Sequence, residues 1–321
     1  MNLRQAAMLA VSLSPITLAA QGREPFAPVV LSLPGGARTL ALGNVGVAGR
    51  DDDVLFFNPS QLAIARGTSA SVERLSSAAA TGSLSSVIRF STGGVAVGMR
   101  MADYEAPSNF FPVNRDSMLN AGPGRGTSVE AAVGLAMVAK NIRFGATAKY
   151  VEDNVQSFRA GRAAFDLGVS KDMLRTTWAL AVQNLGESMS MRCSIASAAQ
   201  SGDCVAAGVP LSSQFTTAQL PLKTTLGAYH TRPVGQFDLA ATAAVSVLRN
   251  GFVTPAGGAE LGYSWLDGYS IALRAGGRRP IDGEGAMTAG AGLNIDRLSI
   301  DYALETLSRS RVAHRVGLRV R

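Results

Sequence analysis

The sequence predicts an all-β fold, a transmembrane antiparallel β-barrel of about 14 strands. Three observations predict it. From about Gly67 onward, apolar residues alternate with small or polar ones, which is the period of strands with one apolar face. Tight turns alternate with longer loops, as in outer-membrane barrels. The second face of the strands holds mainly Gly, Ala, Ser and Thr with scattered charges, which suits a lumen partly filled by protein.

The alternation runs along most of the chain. In the segment 142–150 the apolar side chains occupy the even positions, and Arg143 and Lys149 lie on the opposite face. Candidate strands begin near residues 69, 83, 95, 128, 142, 161, 175, 222, 235, 257, 268, 285, 297 and 311. Tight turns are expected at Ser91–Gly94, Lys140–Asn141, Lys171–Met173, Arg232–Pro233, Leu266–Gly268 and Asn294–Asp296. The intervening loops are mostly longer, notably Asp103–Gly126 and Gly186–Leu220.

Alternation alone also fits a soluble β-sandwich, because one face of each sheet would pack inward. The outer face of a sandwich should be rich in charges, whereas only 17% of this chain is charged. The composition therefore favours the barrel, in which the charges of the non-lipid face point into the lumen. The expected lumen-facing charges are Arg89, Arg100, Arg143, Lys149, Arg274, Asp301, Arg315 and Arg319.

The N-terminus predicts export. Arg4 precedes an apolar stretch, 6–20, which ends in the small-residue site Ala20-Gln21-Gly22, so residues 1–22 are predicted to be a signal peptide. The alternative, a buried N-terminal helix, is disfavoured because Pro15 interrupts the stretch and no polar face exists. No later run approaches the roughly 20 apolar residues that a membrane helix requires.

The two cysteines, Cys193 and Cys204, lie in one polar segment. In an exported protein such a pair most often forms a disulfide, and the alternative is two free thiols. Two cysteines with no nearby histidine do not make a zinc site, so we expect no metal.

The segment GNVGVAGRDDDVLFFNPSQLA, from Gly43 to Ala63, has a glycine spacing that suggests a phosphate loop. A dinucleotide fingerprint needs a βαβ unit, however, and a P-loop ends in Gly-Lys-Ser/Thr. Here Gly49 is followed by Arg50 and three aspartates, and the spaced acidic residues of a calcium loop are also absent. Asn58 and Pro59 instead predict the N-cap and first position of a short helical turn.

The chain offers no recognisable catalytic group. His230 and His314 are the only histidines, both lie in strand patterns, and no Ser or Cys has an identifiable base. The net charge of +7 comes from dispersed basic residues, which favours a cationic lumen or rim and argues against nucleic-acid binding. The sequence therefore predicts a protein that is not an enzyme and needs no cofactor.

Both ends of the mature chain resemble one family. GARTLALGNVGVAGRDDDVLFFNPSQLA (36–63) is similar to the segment with which PorV/PorQ outer-membrane proteins begin, and DYALETLSRSRVAHRVGLRVR (301–321) resembles their closing hairpin. The matching residues of that hairpin are Asp301, Tyr302, Ala303, His314 and Arg315. Two features depart from the pattern: Ser60 replaces an alanine, and the chain ends in Arg321 where such barrels commonly end in an aromatic residue.

PorV/PorQ proteins in turn resemble the FadL family, fourteen-stranded barrels with an N-terminal plug that carries an Asn-Pro motif. The resemblance implies a plug over residues 23–66 inside a barrel over 67–321, in the outer membrane of a diderm bacterium and in contact with its lipid. The implied plug motif is Gly43, Gly46, Asp51, Asp52, Asp53, Asn58 and Pro59. We expect its glycines to pack closely and its aspartates to meet lumen arginines such as Arg89, Arg100 or Arg143.

The resemblance implies one function, a PorV-type role, and two alternatives are kept beside it. A PorV-type protein would take part in protein secretion or surface attachment, with exported cargo or secretion-system components as partners. Phe110 and Phe111, at the tip of a surface loop, would then contact the partner or pin the loop to its own rim. A FadL-like channel would bind a hydrophobic small molecule, and it needs an apolar pocket on the extracellular side and a lateral gap or kinked strand. The second alternative is a secreted soluble β-sandwich with a structural role.

Overall fold

The computed structural model describes residues 28–76, 79–106, 122, 124–155, 158–190, 192–193, 217–281, 284–307 and 311–320. The predicted signal peptide, Phe110, Phe111 and Cys204 lie outside these residues, and so does the side chain of Cys193.

Fourteen long antiparallel strands form one closed sheet, in which each strand pairs with its sequence neighbours and the first pairs with the last. They are β1 (Gly67–Arg74), β2 (Ala79–Phe90), β3 (Gly93–Ala106), β4 (Gly124–Ala139), β5 (Ile142–Val155), β6 (Phe158–Met173), β7 (Thr176–Leu185), β8 (Lys223–Val234), β9 (Phe237–Leu248), β10 (Val253–Leu266), β11 (Tyr269–Arg278), β12 (Met287–Ile295), β13 (Leu298–Thr306) and β14 (Val312–Val320). The predicted barrel is confirmed. The β-sandwich alternative is wrong, because a single sheet closes on itself.

Six two-residue turns lie at one end of the barrel, which we call the turn rim. The other connections lie at the opposite end, the loop rim, and all of them except the one between β5 and β6 are longer. Three turns, at residues 91–92, 140–141 and 267–268, lie within the segments that the sequence predicts. The turn at 296–297 only overlaps the predicted Asn294–Asp296, because Asn294 and Ile295 end β12. The predicted turns at Lys171–Met173 and Arg232–Pro233 are wrong, because these residues continue β6 and β8, and the chain reverses at residues 174–175 and 235–236. Pro233 is tolerated in β8 because β7 pairs with β8 only as far as His230, so no hydrogen bond is lost on that side.

The two faces of the sheet differ as the alternation predicts. Large apolar side chains point outward, and Val72, Leu135 and Leu273 remain 64%, 47% and 61% exposed. Polar and charged side chains on the other face are buried. Arg89 is an exception: it has a lumen-side position in β2 but is exposed beside the strand end at the turn rim. Among the described residues, no helix is long and apolar enough to cross a membrane.

Residues 28–66, which we call the lumen segment, lie inside the barrel and are buried along most of their length. They contain an α-helix, Ala37–Ala41, and three 3₁₀ helices, Val29–Ser32, Asp52–Phe56 and Pro59–Ala63. The α-helix packs against β11–β14, whereas the last 3₁₀ helix packs against β2–β6. The lumen segment therefore touches opposite sides of the barrel as it runs from the loop rim to the start of β1 at the turn rim.

Glycines of the wall make room for the lumen segment. A Cβ at Gly145 would overlap the backbone of Pro59 and Ser60, and one at Gly94 would overlap the carbonyl of Leu62. On the opposite side, a Cβ at Gly276 would overlap the backbone of Gly43. Because backbone atoms cannot rotate away, each of these positions excludes any side chain. The wall is thus shaped to one path of the lumen segment.

We predict that Gly145→Ala destabilises the folded barrel by about 1–3 kcal/mol, because the added methyl group forces the wall away from Pro59 and Ser60. Gly82→Ala is the matched control, since the nearest atom to a Cβ there is 3.7 Å away. Thermal unfolding, followed by heat-modifiable migration on SDS gels, compares the two. Equal melting temperatures for the two variants would contradict the steric account.

Candidate functional site in the barrel lumen

Buried apolar clusters and paired charges fill the lumen. At the loop rim, the first residues of the lumen segment pack into an apolar group that we call the loop-rim cluster: Val29, Val30, Leu31, Leu33, Leu75, Ala79, Ala102, Tyr104, Val151, Val155, Ala160, Ala164, Met189, Ala218, Leu220, Leu307 and Ala313. A second apolar cluster, around Leu55, Phe56 and Leu62, lies toward the turn rim. Charged side chains occupy other parts of the lumen wall, from Lys149 in the middle of β5 to Arg319, one residue from the turn-rim end of β14.

Six of those charged groups form a closed cycle, the ionic ring, in which Arg and carboxylate alternate. Arg38 Nη1 donates to Asp51 Oδ2 over 2.6 Å, and Arg319 Nη1 donates to Asp51 Oδ1 over 2.7 Å. Asp301 bridges Arg319 and Arg274 at 2.9 and 2.6 Å. Glu260 accepts from Arg274, and it also accepts two bonds from Arg38, of 2.9 and 2.8 Å.

The ionic ring joins the lumen segment to half of the barrel. Arg38 and Asp51 belong to the lumen segment, and the other four members stand on β10, β11, β13 and β14. The ring carries three positive and three negative groups, so its formal charge is zero. Because each buried charge has two partners, the desolvation penalty of one ion is offset by its neighbours.

The predicted partners of the aspartates were wrong. Asp51 meets Arg38 and Arg319, not Arg89, Arg100 or Arg143. Arg100 instead donates to Glu130 and to the carbonyl of Leu33, at 2.6 and 2.7 Å. Arg143 makes two bonds, of 2.7 and 2.8 Å, to Asp172 near the turn rim.

The remaining predicted lumen charges are also paired across strands. Lys149 lies between Asp166, at 2.8 Å, and Glu130, at 3.8 Å, which extends the Arg100 pair across β3–β6. Arg315 donates to Glu73 over 3.1 Å and to Ser71 over 3.0 Å, at the seam where β14 meets β1. These groups therefore hold neighbouring strands together.

Asp52 and Asp53 lie beside the ionic ring and are also buried. Asp52 accepts hydrogen bonds from Ser69 and Ser85 of the wall, and Asp53 accepts one from Thr39. Burial raises the pKa of Asp52. Burial and the neighbouring charges of Asp51 and Asp52 raise the pKa of Asp53 to about 7. The charge of Asp53 is thus expected to change near neutral pH.

Asn58 and Pro59 act as the sequence predicts. The Asn58 side chain accepts from the amide of Ser60 at 3.0 Å and donates to the carbonyl of Val47 at 2.8 Å, and Pro59 is the first residue of the 3₁₀ helix. Gly43 has a φ of 76° and lies against the backbone of Gly257 and Gly277. A Cβ at Gly46 would overlap the ring of Phe57. The plug-motif glycines therefore serve close packing.

Strand pairing in the barrel wall is interrupted beside the loop-rim cluster, where Gly186 lies against Ala163 and Ala164. The register of β6 and β7 slips between Phe165 and Leu167, and Asn184 of β7 has a φ of 63°. Past this point the chain turns inward, so that Met189 is buried in the loop-rim cluster and Met189–Ser190 pairs with Thr217–Ala218. In the described part of the chain, residues 160–164 of β6 consequently have no strand partner on this edge.

The sequence interpretation missed Arg38 and Glu260. Arg38 is part of the Gly-Ala-Arg motif, but that motif alone gives it no partner. Glu260 was detectable, because it is the one acidic residue on the small, lumen-side positions of β10. Within the described ranges, no group of three or more His, Cys, Asp or Glu residues could hold a metal ion.

We predict that Arg38→Met destabilises the barrel by about 3 kcal/mol, because Glu260 and Asp51 each lose a buried partner. The double variant Arg38→Met/Glu260→Met keeps the ring neutral and should cost less than the sum of the two single variants. Thermal unfolding of the four proteins measures the coupling. Additive losses would contradict the ring.

A second prediction concerns pH. The folded-state pKa of Asp53, about 7, lies above the value of about 3.9 in an unfolded chain. Between these two values the folded state binds more protons, so the Asp53 contribution to stability falls as the pH rises from about 4 to about 7. An asparagine at this position does not ionise, so Asp53→Asn removes this loss of stability at higher pH. We expect this variant to melt higher than the unmodified protein at pH 8, with a smaller difference at pH 4.5; a pH-independent difference would refute the assignment.

Comparison with known proteins gives a fold but no sequence relative. No family model and no curated protein matches the chain. The toluene transporter TodX of Pseudomonas putida superposes with a TM-score of 0.56 at 12% identity, covering 91% of this chain and 98% of TodX. The monoaromatic hydrocarbon channel CymD gives a TM-score of 0.56 at 9% identity, with 89% and 97% covered.

A FadL homologue of Pseudomonas aeruginosa also superposes, with a TM-score of 0.54 at 11% identity, over 92% of this chain and 98% of that protein. At such low identity these likenesses concern the fold alone. The chain is therefore similar in architecture, over nearly its whole length, to the barrels of FadL-type transporters and channels.

Proposed function

We propose that this protein is an outer-membrane channel for hydrophobic small molecules, of the FadL type, and is not an enzyme. The observation that carries the proposal is the loop-rim cluster, a group of buried apolar side chains next to the stretch of β6 whose edge lacks a strand partner. Proteins of similar fold are a toluene transporter and a monoaromatic hydrocarbon channel. The outward-facing apolar side chains support the membrane location, and residues 1–22 would be removed on export.

The contents of the lumen favour a sideways route. A molecule that enters at the loop rim meets apolar side chains, but the ionic ring and the tightly packed lumen segment bar the direct way to the turn rim. Transfer of a hydrocarbon from water to the apolar side chains at the loop rim is favourable. Transfer to the ionic ring gains nothing, because the buried charges there already pair with one another. Residues 160–164, where one backbone edge has no strand partner, are the exit we propose.

We predict that Ala163→Trp lowers uptake several-fold, because Ala163 faces outward in the interrupted stretch of β6. Ala148→Trp is the matched control: this alanine also faces outward, but β5 is paired on both sides there. Uptake of radiolabelled toluene and of a long-chain fatty acid by protein-containing vesicles, compared with empty vesicles, tests the proposal. It fails if the unmodified protein adds nothing to uptake.

The PorV-type role remains a second candidate, favoured by the fixed fit between wall and lumen segment and by the resemblance of both chain ends. A scaffold that holds exported proteins needs no open lumen. Deleting the protein would then release surface proteins into the medium and leave hydrocarbon uptake unchanged. The opposite pair of results supports the channel.

A further inference from the structure

A hollow of about 630 Å³ opens on the outer wall of β8–β11, on the side of the sheet away from the lumen. Two rows of side chains in register line most of it. They are Ala241, Ala259 and Ala275 in one row and Leu239, Leu261 and Leu273 in the next. The leucines are 44%, 41% and 61% exposed, so their apolar surface lacks a partner within the chain.

Each row continues onto β8 with a basic residue. His230 is paired with Ala241, Arg232 is paired with Leu239, and both side chains are exposed. Thr231 donates to the carbonyl of Arg175, which brings a third exposed basic residue to the same end of the hollow. The two acidic residues of β9 and β10 in this stretch, Asp238 and Glu260, have lumen-side positions. Glu260 also borders the hollow, but its carboxylate is paired with Arg38 and Arg274. The basic end of the hollow therefore has no acidic partner on the outer face of β8–β10.

The basic end lies near the turn rim, and the alanine row rises from it toward the middle of the wall. Arg232 is close to the end of β8, whereas Ala259 is in the middle of β10. Trp178, 49% exposed on neighbouring β7, lies at the same end, and tryptophan prefers the interface between lipid headgroups and hydrocarbon. Cations at the headgroup level below an apolar hollow match an anionic headgroup with its acyl chain.

We propose that this outer hollow binds one anionic phospholipid of the leaflet next to the turn rim. The phosphate is held by Arg232 and His230, with Arg175 nearby, and an acyl chain lies over Ala241, Ala259 and Ala275. A second copy of the chain fits less well, because a twofold contact brings the same patch against itself. The basic end would then need an acidic group on the same patch. The inference rests on the membrane location but not on transport.

Fluorescence tests the proposal. The chain has two tryptophans, so Trp265→Phe leaves Trp178 as the sole reporter beside the hollow. We would place this protein in phosphatidylcholine vesicles that contain increasing fractions of phosphatidylglycerol with brominated acyl chains, and compare them with brominated phosphatidylcholine. We expect brominated phosphatidylglycerol to quench Trp178 at a fraction about fivefold lower, the preference that one surface cation typically gives.

Two variants distinguish a site from general surface charge. In the Trp265→Phe background, Arg232→Gln should abolish most of the preference, while Arg297→Gln, at an exposed turn-rim position between β12 and β13, should retain it. Ala259→Phe fills the hollow with the charges intact and should also weaken quenching. Heat-modifiable migration checks that each variant is folded.

Several outcomes would overturn the proposal. One is equal quenching of Trp178 by the two brominated lipids, and another is an effect of Arg297→Gln as large as that of Arg232→Gln. A third is the absence of any effect of Ala259→Phe. Reversal of quenching by inorganic phosphate would indicate a site for free anions instead of a lipid. Failure of the protein to float with vesicles would instead refute the membrane location itself. The lipid site and the channel can thus fail separately.

Discussion

The ionic ring is the interaction on which the arrangement of the lumen depends. Arg38 and Asp51 place two charges of the lumen segment in the interior, where an unpaired charge is prohibitive, and four strands supply the complementary groups. Since the members come from 38 to 319 in the sequence, the ring is complete only when the lumen segment has docked against β10, β11, β13 and β14. The docking of the lumen segment and the assembly of this part of the wall are therefore coupled in free energy.

Shape complementarity, together with the ionic ring, fixes the position of the lumen segment. The ring fixes the lumen segment against β10–β14, and wall glycines such as Gly94 and Gly145 then let its last helix approach the opposite wall. Close contact at both walls leaves one position for the segment, because displacement toward either side brings backbone against backbone. The apolar residues near the loop rim lie beyond the ring and beside an interrupted stretch of wall.

The outer wall follows the opposite rule from the lumen. Lipid does not solvate charge, so the outward face is mainly apolar, and outward basic residues such as Arg232 and His230 stand near the turn rim. Inside, Glu260 and Arg274 of adjoining strands pair with each other and with the lumen segment. Successive side chains of a single strand such as β10 thus differ in polarity, because they point alternately to the outer face of the barrel and into the lumen.

The sequence by itself determined the barrel: the strand period, the turn chemistry at Lys140–Asn141 and the cap formed by Asn58 and Pro59 are local properties, and the structure has each of them. It also separated the apolar face from the face that carries Arg100, Lys149 and Arg319. It could not select the partner of Asp51, or foresee that Asp172 and Pro233 continue their strands, because such outcomes depend on register. Register, and with it the ionic ring, was decided by the tertiary structure alone, since closing the sheet brings together residues hundreds of positions apart.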